Sequence, residues 1–274
     1  MYAYRIAYDG REYHGYQRQP DVPTVEADLF GAFETLDVWA GDRPPSYATA
    51  GRTDAGVSAL AQTIGVDAPD WLTPAALNAR LPADIRAWAS ATVDPGFHAT
   101  RDAHDRTYRY YLYAPSADRD RAATVLDRLS GTHDVHNLTP ATDRTERSLT
   151  GSVTRAGPFL VIDVTAPGFV HELVRRIAGL VRRIATGAAD PAFVEEVLGP
   201  EPIDGPAGIA PEPGTGLVLT AVTYPDVEFA VDPAAATAAR QVFSDRAATA
   251  ATSERVLDAI ATGLPTGRTE NRET

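Results

Sequence analysis

One short loop restricts the possible folds of this chain more than any other stretch. Residues 51–56, Gly-Arg-Thr-Asp-Ala-Gly, hold an acid between two glycines, and the β-prone run 63–66 follows closely. Glycine lets the backbone turn tightly and approach a ligand. The pattern predicts a loop that presents Asp54 at the entrance to a strand, with Arg52 placed to orient or neutralise the carboxylate. On spacing alone, an ordinary surface turn is the competing interpretation, because Asp-x-Gly is common in turns.

Strand and helix patterns alternate on both sides of this loop. Strands are predicted at residues 4–8, 85–93, 106–113 and within 212–225, and a hairpin with Gly157-Pro158 near its turn at 153–164. Helices are predicted from Thr24, from Thr73-Pro74, over 118–129, from Pro233 with Asp232 as its cap, and separately over 253–261.

The strongest helical pattern follows Gly168. One apolar stripe at helical spacing comprises Val170, Leu173, Val174, Ile177, Val181 and Ile184. Arg175 lies on one flank of that stripe, together with His171 and Arg182. An amphipathic core helix with solvated arginines explains most of these charges.

Composition narrows the class of protein. The chain has 274 residues, 44% of them hydrophobic, which suffices for one large domain or two lobes. No apolar run approaches the roughly 20 residues of a membrane span, the N-terminus lacks a signal-peptide pattern, and cysteine is absent. We therefore expect a cytoplasmic protein without disulfides or thiolate metal sites.

The charge balance is unusual. Acids number 37 against 25 lysines and arginines, the net charge is −12, and no lysine occurs. An acidic, lysine-free chain indicates a halophilic source, in which negative charge maintains solubility at high internal salt. A net negative charge that serves solubility does not argue against an RNA partner.

Two motifs and several weaker ones resemble one enzyme family. Residues 51–57, Gly-Arg-Thr-Asp-Ala-Gly-Val, followed by Ala61 and Gln62, are similar to the catalytic motif of the TruA-type tRNA pseudouridine synthases. Residues 169–175 are similar to a second motif, Phe-Val-His-x-x-Val-Arg, and residues 216–225 to the closing Gly-Leu-x-Leu-x-x-Val-x-Tyr-Pro element. The similarity runs from about Tyr4 to Pro225 in the family's order, which fits a salt-adapted archaeal member.

The resemblance implies roles for four residues. Asp54 would be the nucleophile when uridine is detached from its ribose and rejoined through carbon, and Arg175 would pair with it. Tyr108 would stack on the target uracil, and Arg52 would help to flip or orient the base. The carboxylate can attack C1′ of the ribose or take a proton from C2′, and the sequence does not choose between these pathways.

Further residues are candidates for RNA contact. The loop 13–19 places aromatic, amide and guanidinium groups around a glycine, which suits stacking on bases and contact with phosphates. With later basic positions, the predicted RNA-binding set comprises Tyr16, Gln17, Arg18, Arg101, Arg144 and Arg147. Ser58 stands where the family usually has histidine, which puts one neighbouring RNA contact in doubt.

The resemblance also implies the architecture. It is an α+β pseudouridine synthase fold, in which two αβ lobes share a curved, mainly antiparallel sheet with a central catalytic cleft. The N-terminal lobe would comprise residues 1–105, the C-terminal lobe 106–230, an alanine-rich helical extension 231–264 and a disordered tail 265–274. The family forms homodimers that bind tRNA, usually modifies anticodon stem-loop positions 38 to 40, and needs no metal or organic cofactor.

One loop contains metal-binding residue types, and two other functions compete with this isomerase. Residues 133–136, His-Asp-Val-His, include metal-binding residue types, but they leave the ligand set of an ion incomplete, so we expect no metal. A glycoside-cleaving enzyme needs a second carboxylate about 5–10 Å from the first, for which Glu172 and Asp9 are candidates. A non-catalytic RNA-binding protein would keep the arginines and aromatic residues but need not keep Asp54.

Overall fold

The structure, a computed structural model, describes residues 1–203, 205 and 208–265. Its strands are β1 (Tyr2–Tyr8), β2 (Ala48–Thr49), β3 (Ser58–Val66), β4 (Ile85–Thr92), β5 (Arg106–Tyr113), β6 (Gly131–Asp134), β7 (Glu146–Ala156), β8 (Phe159–Ala166), β9 (Leu217–Val222) and β10 (Ala230–Val231). Its helices are α1 (Val25–Thr35), α2 (Pro74–Asn78), α3 (Arg119–Leu129), α4 (Leu173–Ala185), α5 (Phe193–Val197) and α6 (Pro233–Gly263). Residues 266–274 of the tail predicted to be disordered lie outside the described residues.

The strands form one large sheet. Their order is β10-β4-β1-β3-β9-β5-β8-β7-β6, and β2 pairs with β3 beside that path. Of the strand pairs in the described ranges, β3 and β9 alone run parallel, with Ser58 opposite Val218. The predicted α+β class with a mainly antiparallel sheet is thus confirmed. Because β9 lies between β3 and β5, it joins the two halves, and the lobe boundary at residues 105 and 106 stays a prediction.

The helix α4 is buried along the apolar stripe that the sequence predicts. The helical members of this stripe are all buried, namely Leu173, Val174, Ile177, Val181 and Ile184, whereas Val170 precedes the helix and is half-buried. The helix packs against α3 and β5. Since Arg175 lies on the flank of this stripe, burial of the stripe fixes the direction in which Arg175 projects.

The C-terminal extension is one continuous helix, α6, and the prediction of two separate helices was wrong. Residues 234–262 contain neither glycine nor proline, and alanine is the strongest helix former. At the predicted break, the hydroxyl groups of Thr249, Thr252 and Ser253 donate to carbonyl oxygens four residues earlier, which leaves the helix intact. Asp232 caps the helix as predicted, accepting a 3.0 Å hydrogen bond from the Ala235 amide. Despite this 31-residue element, none of the helices described is long and apolar enough to cross a membrane.

Arg246 anchors α6 to the sheet. Its Nη1 lies 2.8 Å from Asp9 Oδ2, and its Nη2 lies 3.6 Å from Asp84 Oδ2. Arg11 pairs with Asp9 as well, at 2.6 Å. Hydrogen bonds from Arg11, and to a lesser extent from Arg246, hold the pKa of Asp9 at about 2. Asp9 is therefore occupied by structural partners.

Replacing Arg246 with glutamine should destabilise the protein by about 1–2 kcal/mol at pH 7, because the site is partly exposed and the lost hydrogen bonds are charge-assisted. A carboxylate with a lowered pKa stabilises the fold fully above its ordinary pKa of 3.8, and this contribution disappears as the pH falls toward 2. The cost of Arg246→Gln should therefore shrink over that window. Thermal melts measure it, with Arg255→Gln as the control, an exposed α6 arginine that makes no ion pair in the described part of the chain. Equal melting temperatures for both variants at pH 7 would contradict the anchor.

Candidate active site

A cleft of about 720 Å³ opens between the Asp54 loop, the start of β5 and the N-terminal end of α4. This volume lies within the usual range of small-ligand sites. Arg52, Asp54, Tyr108 and Arg175 all line it. The fold thus brings together four predicted residues from three separate segments of the chain.

Asp54 has a different neighbour at each carboxylate oxygen. Arg175 Nη1 donates to Oδ2 at 3.0 Å, and Arg175 Nε donates to the main-chain oxygen of Glu212 at 2.7 Å. His171 Nε2 lies 3.4 Å from Oδ1. With 26% of its side chain exposed, Asp54 remains within reach of a ligand in the cleft. The sequence predicts the pair with Arg175 but assigns no role to His171, although the matched motif contains it.

Buried polar groups hold the Asp54 loop in place. Gln62 Nε2 donates to the Gly51 carbonyl oxygen at 2.7 Å, and the hydroxyl groups of Tyr8 and Thr53 lie 2.8 Å apart. Burial raises the pKa of Tyr8 to about 12, so its hydroxyl remains a neutral hydrogen-bonding group. Gly56 has a φ of +79°, in the backbone region that favours glycine. The loop is therefore ordered by the fold itself.

Arg106 is a buried cation that the sequence identifies only as the basic residue at the start of a strand. Its guanidinium donates to the main-chain oxygens of Ala50 at 2.9 Å, Thr100 at 2.5 Å and Pro167 at 2.5 Å. Burial lowers the pKa of Arg106. Because these acceptors precede the Asp54 loop, β5 and α4, Arg106 connects the three walls of the cleft.

Tyr108 lies in the wall of the cleft, with 9% of its surface exposed. Its ring meets Phe169 edge to face, with ring centroids 5.0 Å apart and an interplanar angle of 81°. Burial raises the pKa of the Tyr108 hydroxyl, which is therefore protonated at neutral pH. Stacking on uracil stays a prediction, and little of the Tyr108 surface is exposed to receive a base.

The loop predicted to bind RNA has both exposed and buried members. Gln17 and Arg18 are exposed, and Arg18 lies 3.4 Å from Asp42. Tyr16 is fully buried, with its hydroxyl 2.6 Å from that of Tyr47. The structure therefore corrects the prediction for Tyr16, whose ring belongs to the core and offers no surface to RNA. Burial of a large aromatic ring stabilises the fold when its hydroxyl has a hydrogen-bond partner.

The predicted arginines differ in their distance from the cleft. Arg52 lines the cleft, is exposed and makes no ion pair with any described residue. Arg101 is exposed but is not part of the lining. Arg144 and Arg147 also lie outside the lining, and Arg147 Nη1 donates to the Arg144 carbonyl oxygen at 2.7 Å. RNA contact by Arg101, Arg144 and Arg147 stays a prediction.

Ser58 and Asp134 both make structural contacts. Ser58 Oγ accepts a 3.0 Å hydrogen bond from the Gly10 amide, which ties the end of β1 to the start of β3. Asp134 Oδ1 accepts from the Thr145 hydroxyl at 2.6 Å and from the His136 amide at 3.1 Å. The Thr145 hydrogen bond lowers the pKa of Asp134. Within residues 1–203, 205 and 208–265, no group of three histidine, cysteine or acidic side chains is suited to a metal ion.

Comparisons with known proteins identify one enzyme family. A family model described as tRNA pseudouridine synthase matches residues 125–225. The tRNA pseudouridine synthase A of Haloarcula marismortui is 52% identical over 276 residues, covering 96% of this chain and 100% of the relative. Proteins of the same name are 55% identical over 255 residues in Halobacterium salinarum (92% and 95% covered) and 51% over 263 in Natronomonas pharaonis (95% and 98%). At this identity and coverage, the chain belongs to the tRNA pseudouridine synthase A family.

Proposed function

We propose that this protein is an isomerase that converts uridine to pseudouridine in tRNA, with Asp54 acting at the ribose. The observation that carries the proposal is the 3.0 Å ion pair between Asp54 and Arg175 in a cleft that Arg52 and Tyr108 also line. The two partners are 121 positions apart in the sequence, and each belongs to a separate motif that resembles the family. The names of the relatives at 51–55% identity support the same activity.

The reaction breaks the C1′–N1 bond, turns the uracil and forms a C1′–C5 bond. Because Arg175 binds Asp54 Oδ2, Oδ1 is the oxygen available to attack C1′ or to take a proton from C2′. Arg175 also compensates the charge of the carboxylate and fixes its orientation. The Tyr108 ring would hold the detached base, and its protonated hydroxyl is available as a donor.

A uridine in tRNA must leave its stack before Asp54 can reach the ribose. Arg52 is suited to assist, because it lines the cleft and has no ion pair with the described residues that would need to break. Its guanidinium can bind the phosphate beside the extruded nucleotide or fill the space that the base leaves.

Three finer points belong to the same proposal. We propose that the target lies at positions 38 to 40 of the anticodon stem-loop, that two copies of the chain bind tRNA together as a homodimer, and that the enzyme acts in the cytoplasm, on its tRNA substrates. A tRNA transcript without uridine at positions 38 to 40 should not be converted. Light scattering in molar KCl should give the mass of two chains.

The two candidate acids for a glycoside-cleaving enzyme are both engaged elsewhere. Glu172 lines the cleft, but its Oε2 accepts hydrogen bonds from Arg176 at 2.7 and 3.0 Å. Asp9 is held by Arg11 and Arg246. Neither acid is free to protonate a leaving group, which disfavours this alternative.

A labelled tRNA assay tests the proposal. The transcript carries label in its uracil rings, and the label is followed after incubation in molar KCl. We expect it to remain in the RNA as pseudouridine. Label released as free uracil would indicate glycoside cleavage, and label that remains as uridine in bound RNA would indicate a non-catalytic binding protein.

Two substitutions at Tyr108 separate the role of its ring from that of its hydroxyl. Because stacking of a base on an aromatic ring is worth about 1–3 kcal/mol, Tyr108→Leu should be about 10-fold or more slower than Tyr108→Phe. Initial rates of pseudouridine formation measure the difference. Tyr111→Leu removes an exposed ring from the same strand and should match the wild type. Equal damage by the two Tyr108 variants would assign the role to the hydroxyl, as a proton-transfer group.

A further inference from the structure

We propose that His171 is a further catalytic residue, the base that removes the proton from C5 of uracil after the C1′–C5 bond has formed. This inference rests on the proposed function. At that stage C5 carries both C1′ and its original hydrogen. Transfer of the proton to His171 Nε2 breaks the C5–H bond, whose electron pair forms the C5=C6 double bond. The C6=N1 electron pair then moves to N1, which takes a proton from water, so the step needs no oxidant or reductant.

His171 stands where this proton becomes available. Its Nε2 lies 3.4 Å from Asp54 Oδ1, the oxygen that Arg175 leaves free. That oxygen must approach C1′ or C2′ during the reaction, and C5 is one bond away from C1′ after the transfer. A nitrogen beside Oδ1 is therefore within reach of the C5–H bond, which is the first requirement for a base.

The other histidine of the cleft is less suited to this step. His98 Nδ1 faces two main-chain amides, those of Thr100 at 3.2 Å and Arg101 at 3.4 Å. Accepting from them fixes the tautomer with a proton on Nε2, so neither ring nitrogen of His98 has a free lone pair. Among the described residues that line the cleft, His171 is the histidine whose ring makes no hydrogen bond with the main chain.

The remaining candidate bases in the lining are also engaged. Glu172 is held by Arg176. Burial raises the pKa of Tyr108, so its hydroxyl is protonated and cannot accept this proton at neutral pH. Oδ2 of Asp54 is paired with Arg175, and Oδ1 is the oxygen assigned to the ribose carbons rather than to the base.

The surroundings of His171 suit a group that passes a proton to solvent. The side chain is 59% exposed, so water can take the proton from the imidazolium. The main chain is nevertheless fixed, because the His171 carbonyl oxygen accepts a 2.8 Å hydrogen bond from the Thr139 hydroxyl immediately before α4 begins. A fixed backbone with an exposed ring gives both position and access.

The test uses His171→Ala and a tRNA transcript deuterated at C5 of uridine. Losing a general base should slow pseudouridine formation by about 10²-fold. Added imidazole should restore part of the rate, because the exposed position leaves room for the free base. The ratio of rates with hydrogen and with deuterium at C5 should be larger for the variant than for the wild type, since C5–H cleavage then limits the reaction. A purely structural role for His171 would not change this ratio.

His98→Ala is the matched control from the same cleft. Its hydrogen–deuterium ratio should equal that of the wild type, and imidazole should not accelerate it. A His171→Ala rate within about twofold of the wild type, or a loss that neither imidazole nor deuterium affects, would overturn the inference. If the wild type itself forms no pseudouridine, the proposed function fails, a result distinct from either outcome for the variant.

Discussion

Asp54→Asn should fold and bind tRNA as the wild type does, but form pseudouridine slower by a factor on the order of 10⁴ or more. Asparagine is nearly isosteric with aspartate, and its amide oxygen can still accept the hydrogen bond that Arg175 donates to Oδ2. The amide can neither attack C1′ nor take a proton from C2′. The change therefore removes the chemistry and leaves the geometry of the cleft.

Initial rates and tRNA affinity should be measured on the same Asp54→Asn preparation. Asp127→Asn, at an exposed acid on α3, removes one negative charge outside the cleft and should turn over at the wild-type rate. If Asp54→Asn shows near-normal turnover, the carboxylate is not the reacting group.

Pseudouridine formation should also rise with KCl toward molar concentration and be poor near 0.1 M, the opposite of ordinary RNA enzymes. A chain with a net charge of −12 repels tRNA in dilute buffer, and its carboxylates repel one another. At about 1 M salt the Debye length is roughly 3 Å, which removes both penalties. Base stacking and bidentate arginine–phosphate contacts act at short range and remain. The haloarchaeal relatives at 51–55% identity support a salt-adapted chain.

A KCl series of initial rates tests this expectation, with circular dichroism recorded on the same samples. The spectra separate a gain in folded protein from a gain in activity of the folded protein. Activity that peaks near 0.1 M and declines steadily above it would contradict the high-salt interpretation of the composition.

Features encoded in short stretches of sequence were predictable. The apolar stripe of α4 and the hairpin turn at Gly157-Pro158 depend on local periodicity and turn chemistry, and the structure has both. The loop position of Asp54 follows from its flanking glycines. Its partner Arg175 was predictable only through the second motif, since no local rule connects positions 121 residues apart.

Features that depend on tertiary packing were not predictable. Tyr16 lies in a loop whose composition is typical of RNA contact, yet its ring is buried in the core beside Tyr8 and Tyr47. Arg106 donates hydrogen bonds to main-chain oxygens. Because every residue has such an oxygen, no pattern of residue types predicts its partners. Helix α6 contains serine and threonine residues at a position where the sequence pattern resembles a helix start. In the structure their hydroxyl groups donate to carbonyl oxygens within the same helix, which therefore continues.

The most direct test of the central claim is a count of nucleosides in one tRNA transcript after incubation with the wild type and with Asp54→Asn in molar KCl. An isomerisation conserves the base, so each uridine lost must appear as one pseudouridine. We predict a one-to-one exchange with no free uracil for the wild type, and no exchange for Asp54→Asn. Free uracil, uridine loss without matching pseudouridine, or equal exchange by both proteins would contradict the account.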